Sequence, residues 1–280
     1  MSRPRISRGR LEELCTKLSE RDLDILTSLA TSRFLTSNQM RRMHFADHAT
    51  NTAAIRSSNR TLTRLAALEL VCHLDRRVGG VRAGSASNVW SLSEIGGRLL
   101  HHSAGFDQLP KRLRTHEPTT TFLEHTLAVA EVCVRLTEAA RGGDFAILEL
   151  QREPDCWRAY SGPEGGVATL KPDLSLVTAC GDFEDHWFLE IDRDTEPPSR
   201  IVRACMRYEA YRQTSTEQKR LGVFPAVLWI VPHPKRAVVL KTRLSTTPGL
   251  SRSLFEVVAI DELPSLVRAG FGSREIDHES

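Results

Sequence analysis

In its second half the chain reads Lys171-Pro172-Asp173-Leu174-Ser175-Leu176-Val177 and then Trp187-Phe188-Leu189-Glu190-Ile191-Asp192. Each stretch is a short apolar run of the kind that forms a β-strand, with carboxylates at one end. Carboxylates held on neighbouring strands are the ligands that Mg²⁺ takes in phosphate-processing sites. An acidic hairpin that holds no metal has the same spacing. The spacing alone leaves both interpretations open.

If the strands pair, the carboxylates can converge on a cation such as Mg²⁺. The predicted ligands are Asp173, Glu190, Asp192 and, from an earlier strand, Glu149. Glu190 and Asp192 are two residues apart on a strand and therefore point to one face, where they repel each other unless a positive charge joins them. That charge is either a metal or a nearby arginine. The nearest arginines in the sequence are Arg193, Arg200 and Arg203.

Composition is that of a globular protein: 280 residues, 40% hydrophobic and 26% charged. No apolar run approaches the roughly 20 residues that a membrane helix needs, and we expect a cytoplasmic protein without a membrane partner. The six cysteines include no Cys-x-x-Cys pair, which argues against a structural zinc site.

Positive charge is concentrated at one end of the chain. Through residue 118 there are 19 Lys and Arg against 11 Asp and Glu, and from there on 19 against 24. A basic first domain and an acidic second domain argue for nucleic-acid contact near the N-terminus.

The first half predicts three helices followed by a two-stranded ribbon. Ser19 is predicted to cap the first helix, with Asp22 at the third helical position as its capping-box partner. Thr36 is predicted to cap a second helix over 38–45, and a third helix covers about 53–68. Strands over 70–77 and 88–92 flank a basic, glycine-rich turn. This order is that of a winged helix-turn-helix, in which the third helix enters the DNA major groove.

The predicted contacts to double-stranded DNA lie on the third helix and on the wing. On the helix, arginines recur every four residues beside an asparagine that could read an adenine edge. On the wing, arginines would meet phosphates. These residues are Arg56, Asn59, Arg60 and Arg64 on the helix, and Arg76, Arg77 and Arg82 on the wing. The alternative is a winged helix used for protein contacts.

The second half predicts a long apolar helix over 122–136 and then five strands, over 145–150, 174–177, 187–193, 226–231 and 255–260. One predicted helix, over about 199–212, precedes the fourth strand, and another, over 261–269, follows the fifth. We expect an α/β domain with the carboxylates along one sheet edge. The predicted domain limits are 15–103 for the winged helix, 104–119 for a linker and 120–272 for the second domain.

Tyrosine chemistry is a competing hypothesis for the second half. Tyr208 and Tyr211 lie on a basic predicted helix, as the nucleophilic tyrosines of DNA-nicking relaxases do. Such enzymes also need a cluster of metal-binding histidines, and the chain has no His-x-His pattern. Helix packing is therefore the favoured role of both tyrosines.

Taken together, the chain resembles the bacterial replication-relaxation family, whose members occur on plasmids and other mobile elements. The resemblance covers roughly residues 18–235 and is carried by Leu18–Asp22, Phe34–Thr36, Val89–Leu92, Lys171–Asp173, Phe188–Glu196 and Arg207-Tyr208. It implies a winged-helix domain joined to a restriction-endonuclease-like domain of the PD-(D/E)xK type, hence an α+β protein. It also implies a part in plasmid replication or DNA relaxation.

One departure affects the expected chemistry. Nucleases of the PD-(D/E)xK class carry a lysine two residues after the second acid, and here that position is Asp192. Lys171, next to Asp173, is the candidate substitute for the missing positive charge.

Two hypotheses follow. In the first, the chain is a DNA-binding protein of a mobile element whose second domain is a Mg²⁺-dependent nuclease with Asp173, Glu190, Asp192 and Lys171 at its centre. In the second, it is a non-catalytic regulator whose second domain forms a homodimer or contacts another partner. Carboxylates tied to arginines would favour the second hypothesis.

Overall fold

A computed structural model describes residues 6–78, 87–104, 118–162 and 165–270. The fold is mixed α+β, and the chain divides into two compact units between Val134 and Arg135. This division lies inside a long helix. The limits 15–103, 104–119 and 120–272 remain a prediction.

The first unit consists of helices and one small sheet. Its helices are α1 (Arg8–Cys15), α2 (Glu20–Ser32), α3 (Ser37–His44), α4 (Asn51–Ala67) and α5 (Glu94–Ala104), and α6 (Thr120–Ala140) begins in it. Its strands are β1 (Leu35–Thr36), β2 (Val71–Val78) and β3 (Ser87–Leu92), paired antiparallel in the order β1-β3-β2. The predicted helices and ribbon are present, displaced by one or two residues.

Local hydrogen bonds explain where α2 and α3 begin. The Ser19 side chain accepts from the Asp22 backbone N–H while the Asp22 carboxylate accepts from the Ser19 backbone N–H. Thr36 and Gln39 form the same reciprocal pair at the start of α3. Each capping box satisfies two backbone donors that a helix start otherwise leaves unpaired, so both predicted caps are confirmed.

Close packing fixes the start of α5 against the sheet. The Ser93 hydroxyl accepts from the Gly96 backbone N–H, as expected of a cap. A Cβ at Gly96 would lie 2.2 Å from the Leu70 carbonyl oxygen and 2.7 Å from Leu92 Cδ1. Only glycine permits this approach of helix to strand.

The second unit is built on a five-stranded sheet in the order β10-β9-β8-β7-β4. Its strands are β4 (Ala146–Arg152), β7 (Leu174–Cys180), β8 (Phe183–Ile191), β9 (Ala226–Val231) and β10 (Phe255–Ala259), and a separate hairpin comprises β5 (Arg158–Ser161) and β6 (Val167–Leu170). Strands β8, β9 and β10 run parallel, and β7 runs antiparallel to both β4 and β8. All six residues of β9 are buried because it lies between two parallel neighbours.

Among the described residues of the second unit, three helices connect the parallel strands and a fourth follows the last strand. They are α7 (Pro198–Gln213), α8 (Thr216–Leu221), α9 (Pro234–Ser245) and α10 (Leu263–Ala269). Both α7 and α9 pack on the sheet face that bears Phe188, Val227 and Trp229 and bury it in one apolar cluster. The predicted set of five strands and two helices is present, and the prediction was wrong in omitting the hairpin, α8 and α9.

Within the described ranges, none of the helices combines the length and hydrophobicity that crossing a membrane requires.

Candidate functional site

The outer face of α4 is a row of polar side chains. Thr50 caps this helix by accepting from the Ala53 backbone N–H, and the residues one helical turn apart at Ala54, Ser58, Leu62 and Leu65 are buried. On the opposite face Arg56, Asn59 and Arg60 are exposed. Within the described part of the chain, none of these three side chains has a hydrogen-bond or ion-pair partner. They are therefore free to contact another molecule.

Arg64 differs from the other predicted helix contacts. Its guanidinium forms an ion pair with Asp22, whose side chain is only 2% exposed. Burial opposes ionisation of Asp22, but hydrogen bonds from Arg64 and Ser19 outweigh it and lower the pKa of that carboxyl. Arg64 thus joins α4 to the capping box of α2, and DNA contact by Arg64 stays a prediction.

The side chains of the predicted wing arginines lie outside the described residues. Arg76 and Arg77 belong to β2, whereas all of Arg82 lies outside them. Their predicted phosphate contacts stay predictions.

In the second unit, strand pairing brings Asp173 and Glu190 together. Leu174 of β7 pairs with Leu189 of β8, so Asp173 lies level with Glu190 at the end of the pair. The Asp173 backbone N–H donates to the Leu189 carbonyl (3.1 Å), and its carboxylate Oδ2 accepts from the Ile191 backbone N–H (2.8 Å). This side chain is buried and fixed by the strand that carries Glu190.

Glu190 is a buried acid in an unfavourable setting for a charge. Burial, first, and the negative charge of Asp173, second, raise the pKa of Glu190 well above its usual range. A hydrogen bond from the Tyr208 hydroxyl to Glu190 Oε1 (2.7 Å) and the positive charge of Arg207 act in the opposite direction. A divalent cation shared with Asp173 would remove the repulsion that remains.

The third carboxylate of this group is Glu153, which sequence reasoning missed. A Glu153 carboxylate oxygen lies within 4.8 Å of one from Asp173, and its charge also raises the pKa of Glu190. Glu149 instead pairs with Val177, four residues along β7 from Asp173. At about 3.3 Å per residue this separation is about 13 Å. We call Asp173, Glu190 and Glu153 the carboxylate cluster.

Asp192 has a different partner from the cluster. Its Oδ2 accepts from Arg236 Nε at 2.6 Å, and the two side chains are 1% and 8% exposed. Arg236 also donates to the Glu196 carbonyl oxygen (2.6 Å) and contacts the Asp194 carboxylate (3.1 Å). Asp192, at the position where the sequence resemblance to PD-(D/E)xK nucleases predicts a lysine, is thus part of a buried ion pair. The cation of this pair is Arg236, on α9.

Lys171 and Arg200 contact groups outside the carboxylate cluster. Lys171 Nζ lies 4.3 Å from the centre of the Trp157 ring, a cation–π contact. Arg200, expected to neutralise the acids, pairs with Glu196 on the surface at 3.3 Å. Both assignments, Lys171 as a catalytic group and the carboxylates as metal ligands, stay predictions.

The two tyrosines lie in the core. Tyr208 and Tyr211 are each 1% exposed, and their hydroxyls donate to Glu190 and Glu217, both at 2.7 Å. Burial, above all, raises the pKa of both tyrosines. A buried phenol that is hard to ionise is poorly suited to attack a phosphate, which agrees with the packing role favoured from the sequence.

A comparison with protein-family models matches residues 26–227 to the replication-relaxation family. The chain belongs to this family. The comparisons with curated proteins and with solved structures gave no significant match.

The family's matched stretch includes α4, the carboxylate cluster and Tyr208, and it ends before Arg236. Membership in the replication-relaxation family therefore covers both candidate sites, while the ion pair of Asp192 uses a residue beyond the match.

Proposed function

We propose that this chain binds double-stranded DNA through α4 and acts in the replication or relaxation of a plasmid or other mobile element in the cytoplasm. The observation that carries the proposal is the row of Arg56, Asn59 and Arg60 on the exposed face of α4, for which the described residues supply no hydrogen-bond or ion-pair partner. The order α2-β1-α3-α4-β2-β3, with β1 paired to β3, supports reading the first unit as a winged helix. Family membership supports the replication setting.

The chemistry of the row suits DNA. Arginine donates bidentate hydrogen bonds to guanine or to phosphate, and asparagine does so to adenine. The 17 residues of α4 span about 25 Å, enough to lie along a major groove about 12 Å wide.

The test is a salt titration of DNA binding. Labelled duplex is titrated with the wild-type chain and with an Arg56→Ala, Arg60→Ala variant, and binding is followed by fluorescence anisotropy. Each lost phosphate contact lowers the slope of log K against log salt by about 0.9. The control is Arg8→Ala, because Arg8 is 83% exposed on α1 and pairs only with Glu12 four residues on. Equal affinities for the α4 variant and the control would refute DNA binding by α4.

A second function, metal-dependent phosphodiester cleavage, is favoured by the carboxylate cluster. The donor set consists of carboxylate oxygens, which are the hard ligands that Mg²⁺ prefers, so the residues fit this ion. Asp173 accepts a hydrogen bond from the Ile191 backbone N–H and Glu190 accepts one from the Tyr208 hydroxyl, which supports the proposal because both carboxylates are held in place. A bound Mg²⁺ would supply an activated water and offset charge on the scissile phosphate.

The site departs from the nuclease pattern in its cations. Asp192 stands at the lysine position and is paired with Arg236, while Lys171 stacks on Trp157. Arg207 is the cation that acts electrostatically on Glu190. These contacts support the rival hypothesis, a non-catalytic regulator that uses the second unit for dimerisation or partner contact.

Calorimetry with Mg²⁺ and Mn²⁺ separates the two hypotheses. We expect metal binding that Glu190→Gln removes and that Glu149→Gln leaves intact, because Glu149 lies about 13 Å along the sheet from Asp173. A supercoiled plasmid then reports nicking by the wild type. Absence of metal binding in all three proteins would reject the nuclease and favour the regulator.

A further inference from the structure

The exposed face of α7 carries a row of arginines. Its buried face, which includes Ile201, Cys205 and Tyr208, packs on the sheet, and this fixes the orientation of the helix. Exposed arginines at spacings of three and four residues lie on the solvent side, flanking that buried face. They are Arg200, Arg203 and Arg207. At 1.5 Å per residue, this arginine row is about 10 Å long.

Among the described residues, Arg200 and Arg203 form no buried ion pair. Arg200 pairs with Glu196 on the surface at 3.3 Å, with 65% of the arginine side chain exposed. Arg203 has no hydrogen-bond or ion-pair partner among the described residues. Such exposed pairs contribute little stability, so the row has no evident structural purpose.

Asp192 forms its ion pair with a residue of α9 and not with the row. The Asp192 carboxylate accepts a hydrogen bond from Arg236, near the start of α9. Arg200 and Arg203, which the sequence suggested as partners of the acids, are therefore not the partners of Asp192, and both side chains are exposed.

One end of the row is next to the carboxylate cluster. Tyr208 follows Arg207 on the helix, and its hydroxyl binds Glu190 at 2.7 Å. Because Arg207 and Tyr208 are consecutive residues, this bond places the Arg207 end of the row at the level of Glu190 along α7, and the positive charge of Arg207 lowers the pKa of Glu190. Arg203 and Arg200 continue the row away from the cluster along α7.

We propose that the arginine row of α7 binds the phosphate backbone of DNA and brings it to the carboxylate cluster. About 10 Å corresponds to about three phosphates of one strand, at 3.4 Å per phosphate along the helix axis. Guanidinium groups bind phosphate oxygens in bidentate pairs. A local cationic row is needed here because the half of the chain that follows residue 118 has a net excess of acidic residues. This inference rests on the proposed function in taking DNA as the ligand.

The experiment removes the α4 contacts first and then tests the row. In the full chain carrying Arg56→Ala and Arg60→Ala, we add Arg203→Ala and Arg207→Ala and measure binding of a labelled duplex against salt. Two lost phosphate contacts lower the slope by about 1.8, so the loss in affinity is about twelvefold larger at 50 mM than at 200 mM salt. The matched control adds Lys219→Ala and Arg243→Ala, which remove two exposed cations of α8 and α9.

Further variants distinguish the causes of failure. Arg203→Lys with Arg207→Lys keeps both charges and restores most of the slope, while circular dichroism verifies the fold of each variant. A slope equal to that of the control overturns the role of the arginine row. If the wild type binds DNA and only the α4 variants weaken it, DNA binding by the first unit stands and this inference fails. If the wild type binds no DNA at low salt, both fail.

Discussion

Replacing Arg236 by methionine should destabilise the second unit strongly, because it leaves a buried carboxylate without its counter-ion. Asp192 is 1% exposed and Arg236 8% exposed, and the two join at 2.6 Å. Breaking a buried ion pair by removing one partner costs about 3–5 kcal/mol. The same change at Arg200, whose pair with Glu196 is exposed, should cost less than about 1 kcal/mol.

Urea unfolding followed by tryptophan fluorescence measures the difference. Trp157, Trp187 and Trp229 lie in the second unit, so the signal mainly follows that unit. With an m-value of about 2 kcal/mol/M, a loss of 3–5 kcal/mol lowers the midpoint by about 1.5–2.5 M. Adding Asp192→Asn to Arg236→Met should recover part of the loss, because the unpaired charge is then gone while the amide oxygen still accepts from the Asp194 backbone N–H.

One result would refute this reasoning. If Arg236→Met lowers the free energy of unfolding no more than Arg200→Met does, then Arg236 does not stabilise the buried Asp192 carboxylate. Asp192 would in that case be available to a metal, as the sequence predicted. A large loss that Asp192→Asn partly restores would instead assign Asp192 to the scaffold.

Three further predictions concern single residues. Folding raises the pKa of Glu190, so the wild type loses stability as pH rises above the ordinary value of 4.5. Glu190→Gln should therefore be more stable than the wild type at neutral pH but not below pH 4.5. Urea midpoints of the two proteins that run parallel across this pH range would contradict this. Arg64→Ala should destabilise the first unit by about 1–3 kcal/mol because Asp22 loses a charged hydrogen bond, and an unchanged melting temperature in calorimetry would contradict that role. Gly96→Ala should cost about 1–3 kcal/mol, since its Cβ meets the Leu70 carbonyl oxygen at 2.2 Å; an unshifted calorimetric melting transition would show that the helix can move away.

Features that depend on neighbouring residues could be predicted from the sequence. The capping boxes at Ser19 and Thr36 join residues three apart, so the pattern itself contains both partners. Strand β9 is marked by a continuous apolar run, and β8 by the shorter run Trp187–Leu189. These signals were sufficient for α2 to α5 and the ribbon of the first unit and for the strands of the five-stranded sheet, whereas α1 and β1 were missed.

Helix α9 escaped prediction for a physical reason. Val238 and Val239 are 63% and 51% exposed, so apolar residues occur on its outer face as well as its buried face and weaken the helical periodicity. Arg236 is carried by this helix and lies 44 residues from Asp192. The partner of Asp192 could not be found without knowing that α9 exists and where it packs.

Whether Glu149 or Glu153 lies beside Asp173 depends on the register in which β4 pairs with β7. Glu149 lies in β4 and Glu153 follows the end of that strand, four residues on. Strand alternation would put both on the same face and therefore does not separate them. Pairing of Glu149 with Val177 decides the matter, because it leaves Glu153 level with Asp173. Sequence can suggest that two strands pair but seldom at which residue.

The contrast between Asp192 and Glu190 bears on function. Glu190 and Asp192 lie two residues apart at the end of β8, and Asp192 pairs with the buried guanidinium of Arg236. Glu190 receives only the neutral hydroxyl of Tyr208 as a hydrogen-bond donor among the described residues, and it faces the charge of Asp173. A scaffold under selection for stability alone gains nothing from that arrangement, since a buried acid beside another acid is costly. The arrangement is reasonable if a cation from solution completes it, which is why metal titration of Glu190→Gln against Glu149→Gln decides the function of the second unit.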